Sequence, residues 1–318
     1  MRAPTPALKS TFLFRVQQRW AGAQTLRRQY VHNVLSNLFD EFHLRGLADP
    51  HFAKLLAQGS ELEHQQRMAE MLLAKHLWDH GFSLDSAHVG PDFKASKNGY
   101  AVWIELITPE PKGIDPGWLS ASHHDGVWTY PYDAIALRYT AALKEKHEKL
   151  VGRRGTKLGY LGQGIVAHGE PYVVAINQHL LHGRYHSLEG ISQVPVAAEV
   201  VYAIGPQQLH LNPASGKIVD ADHSHRPFLN KIKPAGGYVG VPTDTFLNPA
   251  YDPISAVWAL DLQETALLPR SMVRLPNVHL AAMIHNARAT ARVPSYFLPS
   301  QEDWIGVVAP SSITLKRL

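Results

Sequence analysis

Apolar and polar positions alternate with two different periods along this chain, and the change of period divides it. From Thr11 to Leu47 the residues Phe12, Val16, Trp20, Val31, Val34, Leu35, Leu38, Phe39 and Phe42 recur near helical spacing among Arg and Gln, which predicts an all-helical opening segment. Asp49-Pro50 punctuates it, and a second helical pattern runs from about Glu61 to His80, where Gly81 supplies a C-terminal stop. Beyond Pro91 the period shortens. Asp92 to Ala95 and Tyr100 to Ile107 read as strands flanking Ser96-Lys97-Asn98-Gly99, and Asn-Gly is the strongest short-range hairpin signal.

After a Pro/Gly-rich loop from Pro109 to Pro131, Ala134 to Leu150 has the pattern of a lysine-rich amphipathic helix, and Pro171 to Asn177 that of a short buried strand. Further strand-like runs lie at Val194 to Tyr202, Tyr238 to Val241 and Ile254 to Leu260. The order helix, hairpin, helix, strand predicts an α/β fold. No linker-like tract or repeat interrupts the 318 residues, so one domain is expected: a helical extension over 1–60, a core over 61–180 and a β-rich C-terminal elaboration over 181–318.

Composition narrows the chemistry. With no cysteine the chain has no disulfide, thiolate metal site or cysteine nucleophile. No run reaches the roughly 18–20 apolar residues of a membrane helix, and Met1 to Trp20 lacks the apolar stretch of a secretory signal. A soluble, cytoplasmic protein without a membrane partner is the expectation. A net charge of +4 is compatible with a polyanionic partner, and 19 histidines make that charge climb as pH falls.

The hairpin carries the candidate site. If Asn98 and Gly99 form the turn, antiparallel partners sum to 197 and Asp92 faces Glu105. Directly opposed carboxylates repel unless a cation lies between them, and Mg²⁺ takes one or two carboxylates while keeping several waters. Glu105 is the lone charge in Val102-Trp103-Ile104-Glu105-Leu106-Ile107, a run that reads as a strand covered on both faces. A carboxylate there needs a partner.

Pro91-Asp92 followed by Glu105-Leu106-Ile107, with Glu70 on the preceding helix and then Gly81-Phe82, resembles the signature of the PD-(D/E)XK nuclease superfamily. The segment Leu137 to Lys146 with Pro171 to Asn177, and Glu105-Leu106-Ile107-Thr108, also resembles a group of bacterial proteins sharing that core. The resemblance implies a restriction-endonuclease-like mixed central sheet flanked by helices, and a nuclease dependent on Mg²⁺ or Mn²⁺ acting on nucleic acid, with DNA favoured over RNA and a homodimer left open. It assigns metal binding to Asp92, Glu105, Glu70 and the Leu106 carbonyl. The family's strand lysine is replaced by Ile107, which leaves open a catalytically inactive module binding nucleic acid or a protein. Some relatives move the lysine to the next helix, where Lys144, Lys146 and Lys149 lie; Lys146 shares a stripe with Arg138 and Ala142 and is the expected replacement. Thr108, Gln163 and Arg138 are the expected phosphate contacts.

Other constellations are weaker. Asp220, Asp222, His223 and His225 read as a polar loop, as do His182 and His186, whose i,i+4 spacing is interrupted by Gly183. Gly159-Tyr-Leu-Gly162-Gln-Gly164 lacks the Lys-Ser/Thr of a phosphate loop.

Overall fold

The computed structural model describes residues 6–86, 89–120, 129–153, 157–183, 186–272, 279–309 and 312–318. The helical opening is three helices, α1 (Pro6–Arg19), α2 (Thr25–Leu44) and α3 (Pro50–Gln58). Asp49-Pro50 starts α3 instead of merely closing what precedes it: the Asp49 carboxylate accepts from the Phe52 amide at 2.6 Å, with proline in the first helical turn. Helix α4 (Glu61–Asp79) opens with a capping box in which Ser60 and Glu63 satisfy each other's backbone amides.

Strands β1 (Ser83–Asp85), β2 (Phe93–Lys97) and β3 (Tyr100–Ile107) form an antiparallel meander. Asn98 (φ 53°) and Gly99 (φ 78°) take the two left-handed positions of a tight turn. The pairing of Phe93 with Ile104 through Lys97 with Tyr100 is the register predicted from that turn. The chain continues through α5 (Pro116–Ser120), α6 (Tyr132–Val151), a ribbon of β4 (Gly152–Arg153) and β5 (Lys157–Leu158), then β6 (Tyr172–Asn177) and α7 (Val196–Tyr202). Two more ribbons follow, β7 (Ile204–Leu211) with β8 (Ile218–His225), and β9 (Phe228–Ile232) with β10 (Tyr238–Pro242). The last strands are β11 (Ala256–Asp261), β12 (Leu280–His285), β13 (Glu302–Ala309) and β14 (Ser312–Arg317).

One eight-stranded mixed sheet runs β1-β2-β3-β6-β11-β12-β13-β14. Its middle is parallel, β3 beside β6 beside β11, and both flanks carry antiparallel pairs. The C-terminal part, from Ala256 onward, supplies four of the eight strands of this sheet.

The alternation of β3 sorts its side chains between two cores. Val102, Ile104 and Leu106 pack toward α1–α4 with Phe39, Met68 and Leu72, whereas Trp103 and Ile107 pack toward α6 and α7 with Tyr139, Leu143 and Val200. Val194 to Tyr202, read as a strand, is instead helical from Val196 and ends at Ala203 in the left-handed region (φ 56°). Every residue of this helix is buried, so no polar face marks its period. Among the described residues no helix is long and apolar enough to cross a membrane.

Candidate active site: a buried carboxylate–lysine cluster

Glu105 sits on β3 between Trp103 and Ile107, on the α6 face of the sheet, and is 1% exposed. Helix α6 meets it with an unusual residue at a core position. The buried stripe of α6 is Ile135, Tyr139, Ala142, Leu143, Lys146 and Leu150, so Lys146 enters where an aliphatic side chain is ordinary. Its Nζ donates to Glu105 Oε1 at 3.0 Å, and Lys149 Nζ donates to the same oxygen at 2.8 Å from a half-exposed position. Burial pulls the Lys146 ammonium toward deprotonation, but Glu105 and Asp92 outweigh it and hold it above its ordinary value.

Asp92 immediately precedes β2, and the hairpin register continued by one step sets it opposite Glu105. Its Oδ2 accepts from the Leu106 amide at 2.6 Å. Leu106 thus contacts the acids through its N–H, whereas the carbonyl was the group expected there. Burial, then the charge of Glu105, pushes Asp92 up from 3.8 to about 6 against the opposing pull of Lys146. Glu70, on α4, is raised well above the ordinary carboxylate range, chiefly by burial and next by Asp92. Arg67, one helical turn earlier, pairs with it at 2.8 Å. Four residues from α4, the loop before β2, β3 and α6 thus feel one another's charges.

A fifth group was not expected. After α6 the backbone folds back, with Tyr160 N–H donating to the Lys149 carbonyl at 2.9 Å and Leu161 N–H to that of Leu150 at 3.0 Å. Gly159 permits this: a Cβ there would stand 2.3 Å from Gly152 N and Leu150 O. Tyr160 Oη then donates to Glu105 Oε2 at 3.4 Å. The glycines of this segment serve a backbone reversal, which accounts for the missing features of a phosphate loop.

Two clefts reach the cluster's surroundings. One of about 160 Å³ is bounded by Phe52, Arg67, Glu70, Pro91 and Asp92. The other, of about 260 Å³, is lined by Gln66, Ile107, Thr108, Lys112, Arg138 and Glu145. Thr108 and Arg138, both expected to contact substrate, share this second cleft; Thr108 also accepts from Asn177 Nδ2 at 3.2 Å. Gln163 does not join them. It is exposed, and its amide donates to the Leu158 carbonyl at 2.8 Å, closing the loop after β5.

Glu70, Asp92 and Glu105 do not bring one oxygen each within 4.8 Å of one another; among the described residues only His179, His186 and Asp261 form a three-residue group that does. His186 therefore belongs to a constellation that local spacing concealed, since its partners lie on other segments. The acidic and histidine run at 220–225 lies on β8, where His223 bonds the Ser192 carbonyl at 3.2 Å and Asp222 pairs with His210 at 3.0 Å. No family model, curated protein or solved structure matches this chain.

Proposed function

We propose that this protein is a metal-dependent nuclease whose site is the Glu70, Asp92, Glu105 and Lys146 cluster. The observation that carries this reading is the burial of Lys146 against Glu105: an ammonium delivered from α6 meets the motif glutamate on the sheet face shared by Ile107, the position where the resembled family keeps its lysine. The mixed sheet with helices on both faces agrees with the restriction-endonuclease-like fold that the resemblance implies.

The donor set suits a hard dication. The carboxyls are oxygen ligands, and the upward displacement of Asp92 and Glu70 by burial and mutual repulsion marks a place short of positive charge. Asp92 and Glu105, with Glu70 and the Leu106 carbonyl, are the residues that would hold Mg²⁺ or Mn²⁺, once the three carboxylates, which do not bring one oxygen each within 4.8 Å of one another, draw in around the ion. Such an ion supplies Lewis acidity toward a phosphoryl oxygen and a more acidic bound water. Lys146, kept protonated by its acidic neighbours, offsets negative charge growing beside Glu105 and orients an attacking water. Arg138 and Thr108, in the cleft beside Ile107, are suited to phosphate oxygens; nucleic acid is the substrate class of this reading, with DNA taken ahead of RNA on the resemblance alone.

A second reading, a catalytically silent nucleic-acid- or protein-binding module, is favoured by one observation: Glu105 Oε1 is already engaged by two ammonium groups. Incubation of the purified chain with single- and double-stranded DNA and RNA, in Mg²⁺ or Mn²⁺ and then in excess EDTA, separates the two. Nuclease function predicts cleavage that EDTA abolishes and that Asp92→Asn lowers by at least about 100-fold, the scale of losing one group that stabilises the transition state. Retention of nucleic acid without metal-dependent cleavage selects the silent module.

A further inference from the structure

At the end of the sheet where the parallel strands finish, three side chains from distant segments meet. Asp261 is the last residue of β11, and His179 follows β6, its immediate neighbour. His186 comes from the connection that leaves β6 for α7. His179 Nδ1 lies 3.1 Å from Asp261 Oδ1, and His186 Nδ1 lies 2.7 Å from Asp261 Oδ2. The two imidazole planes are nearly parallel, 7° apart.

Asp261 is 1% exposed, so its charge has left water. Burial pushes its carboxyl up, but the hydrogen bonds of His179 and His186 outweigh this and hold it below the ordinary range. Gln263 Nε2 donates to Oδ2 at 2.7 Å, and Gln263 is itself fixed by the Thr265 hydroxyl at 2.9 Å. An outer layer of this kind is what orients a ligating carboxylate. The backbone beneath is tied as well: Gln178 N–H donates to the Leu260 carbonyl at 2.8 Å, and Leu262 N–H to Asn177 Oδ1 at 3.0 Å.

A second observation points to a ligand. His182 is 2% exposed, yet among the described residues neither of its ring nitrogens has a hydrogen-bond partner. It lies on the same connection, between His179 and His186 in sequence. A buried imidazole without a partner forfeits the hydrogen bonds that burial normally demands. Its place is secured by Gly183, whose positive φ of 55° and approach to the Leu119 carbonyl, 2.5 Å from where a Cβ would stand, exclude other residues.

We propose that His179, His186 and Asp261 form a binding site for a divalent transition metal of the Zn²⁺ class. One ligand atom from each lies within 4.8 Å of the others. Bond lengths of about 2.0–2.2 Å set tetrahedral ligands about 3.3 Å apart, against histidine-to-carboxylate separations of 3.1 and 2.7 Å, each to a different oxygen of Asp261. Imidazole and carboxylate donors together select Zn²⁺ and its neighbours over Mg²⁺. Binding needs the Nδ1 lone pair of each ring, so a neutral ring passes to its Nε2–H tautomer with its proton moved from Nδ1 to Nε2, and a ring that starts as imidazolium gives one proton to solvent. Three protein ligands leave a fourth position for water or a substrate atom.

The site is independent of the carboxylate–lysine cluster, and the experiment keeps them apart. Zn²⁺ is titrated by calorimetry into the chelator-stripped full chain and into Glu105→Gln, Asp261→Asn and His186→Ala. The electronic spectrum of Co²⁺ substituted for Zn²⁺ reports the geometry. The expected result is one ion per chain in the wild type and in Glu105→Gln, with affinity lower by more than about 100-fold in the other two, exceeding the effect of losing an outer-layer partner. Should those variants fail to fold, protection of His179 and His186 by Zn²⁺ against diethyl pyrocarbonate, read by peptide mass spectrometry on the wild type, decides the question. Absence of stoichiometric binding, full affinity in both variants, or no protection overturns the proposal.

Discussion

Lys146 is a charged side chain at a core position beside the proposed active site. It is 2% exposed and its carboxylate partner 1%. Removing one member of a buried ion pair costs roughly 3–5 kcal/mol, because the survivor keeps its desolvation penalty without compensation. Lys146→Met is expected to fall at the lower end of that range, since Lys149 still reaches Glu105 Oε1. Lys149→Met, from a side chain 44% exposed, should cost less than about 1 kcal/mol. Pairing Lys146→Met with Glu105→Gln should recover part of the loss, and urea denaturation of the single and double variants measures all three. A double variant no more stable than Lys146→Met shows that aliphatic packing, not charge, sets the cost.

Much of this residue-level picture was legible in the sequence, for identifiable reasons. Glu105 stood out as the only charge in an apolar strand, and Asn98-Gly99 fixed which residue faces it. The pull of Lys146 into the core was foreshadowed by its stripe with Ala142. The histidine–aspartate group left no comparable trace. His179 and His186 are 82 and 75 residues from Asp261, and only the pairing of β6 with β11 brings them together.

At the level of elements, local signals succeeded where a segment has two different faces and failed where it has one. The periodic pattern of α4, the hairpin and the amphipathic α6 all contrast apolar with polar positions. Helix α7, buried on every side, offers no contrast, and its valines favoured a strand reading. The reversal joining α6 to Tyr160 rests on a different kind of signal, a glycine needed for space. Replacing Gly159 with alanine drives a methyl group into Gly152 N and Leu150 O, and is expected to destabilise the protein by roughly 1–3 kcal/mol. Gly162→Ala, whose nearest contact is the flexible Leu158 side chain at 3.1 Å, should cost clearly less. Urea midpoints of the two variants make the comparison; equal losses show that the turn yields more easily than its close contacts imply.

Across the whole molecule, the abundance of histidine becomes a stability property. Burial pushes His64, His76 and His182 down from 6.5 to about 4, and His279 to about 3. Their unfolded forms take up protons below 6.5 that the folded forms refuse until the pH nears 4. The stability they confer is therefore fully present above pH 6.5 and is lost as pH falls toward 4. Asp92 works in the opposite sense, because its folded value of about 6 lets the native state bind a proton where the unfolded chain does not. Glu199, held up at about 7, and Glu70 act in the same sense as Asp92, so four histidines set against three carboxyls leave acid unfolding accompanied by net uptake of roughly one proton below pH 6.5, or about 1.4 kcal/mol per pH unit. Denaturation midpoints across that range test it, and a flat profile shows that these rings escape to water before they charge.

The sheet also dictates an order of events at the ribosome. Strand β6, with Val173 to Ile176 buried on both faces, has β3 on one side and β11 on the other, and β11 is made about 80 residues later. At roughly 5–20 residues per second the nascent chain spends on the order of 4–16 s with that apolar edge unzipped. Newly synthesised copies are thus obliged to pass through a sticky interval that the finished protein hides, and chaperone supply or translation speed over residues 178–255 governs how many survive it.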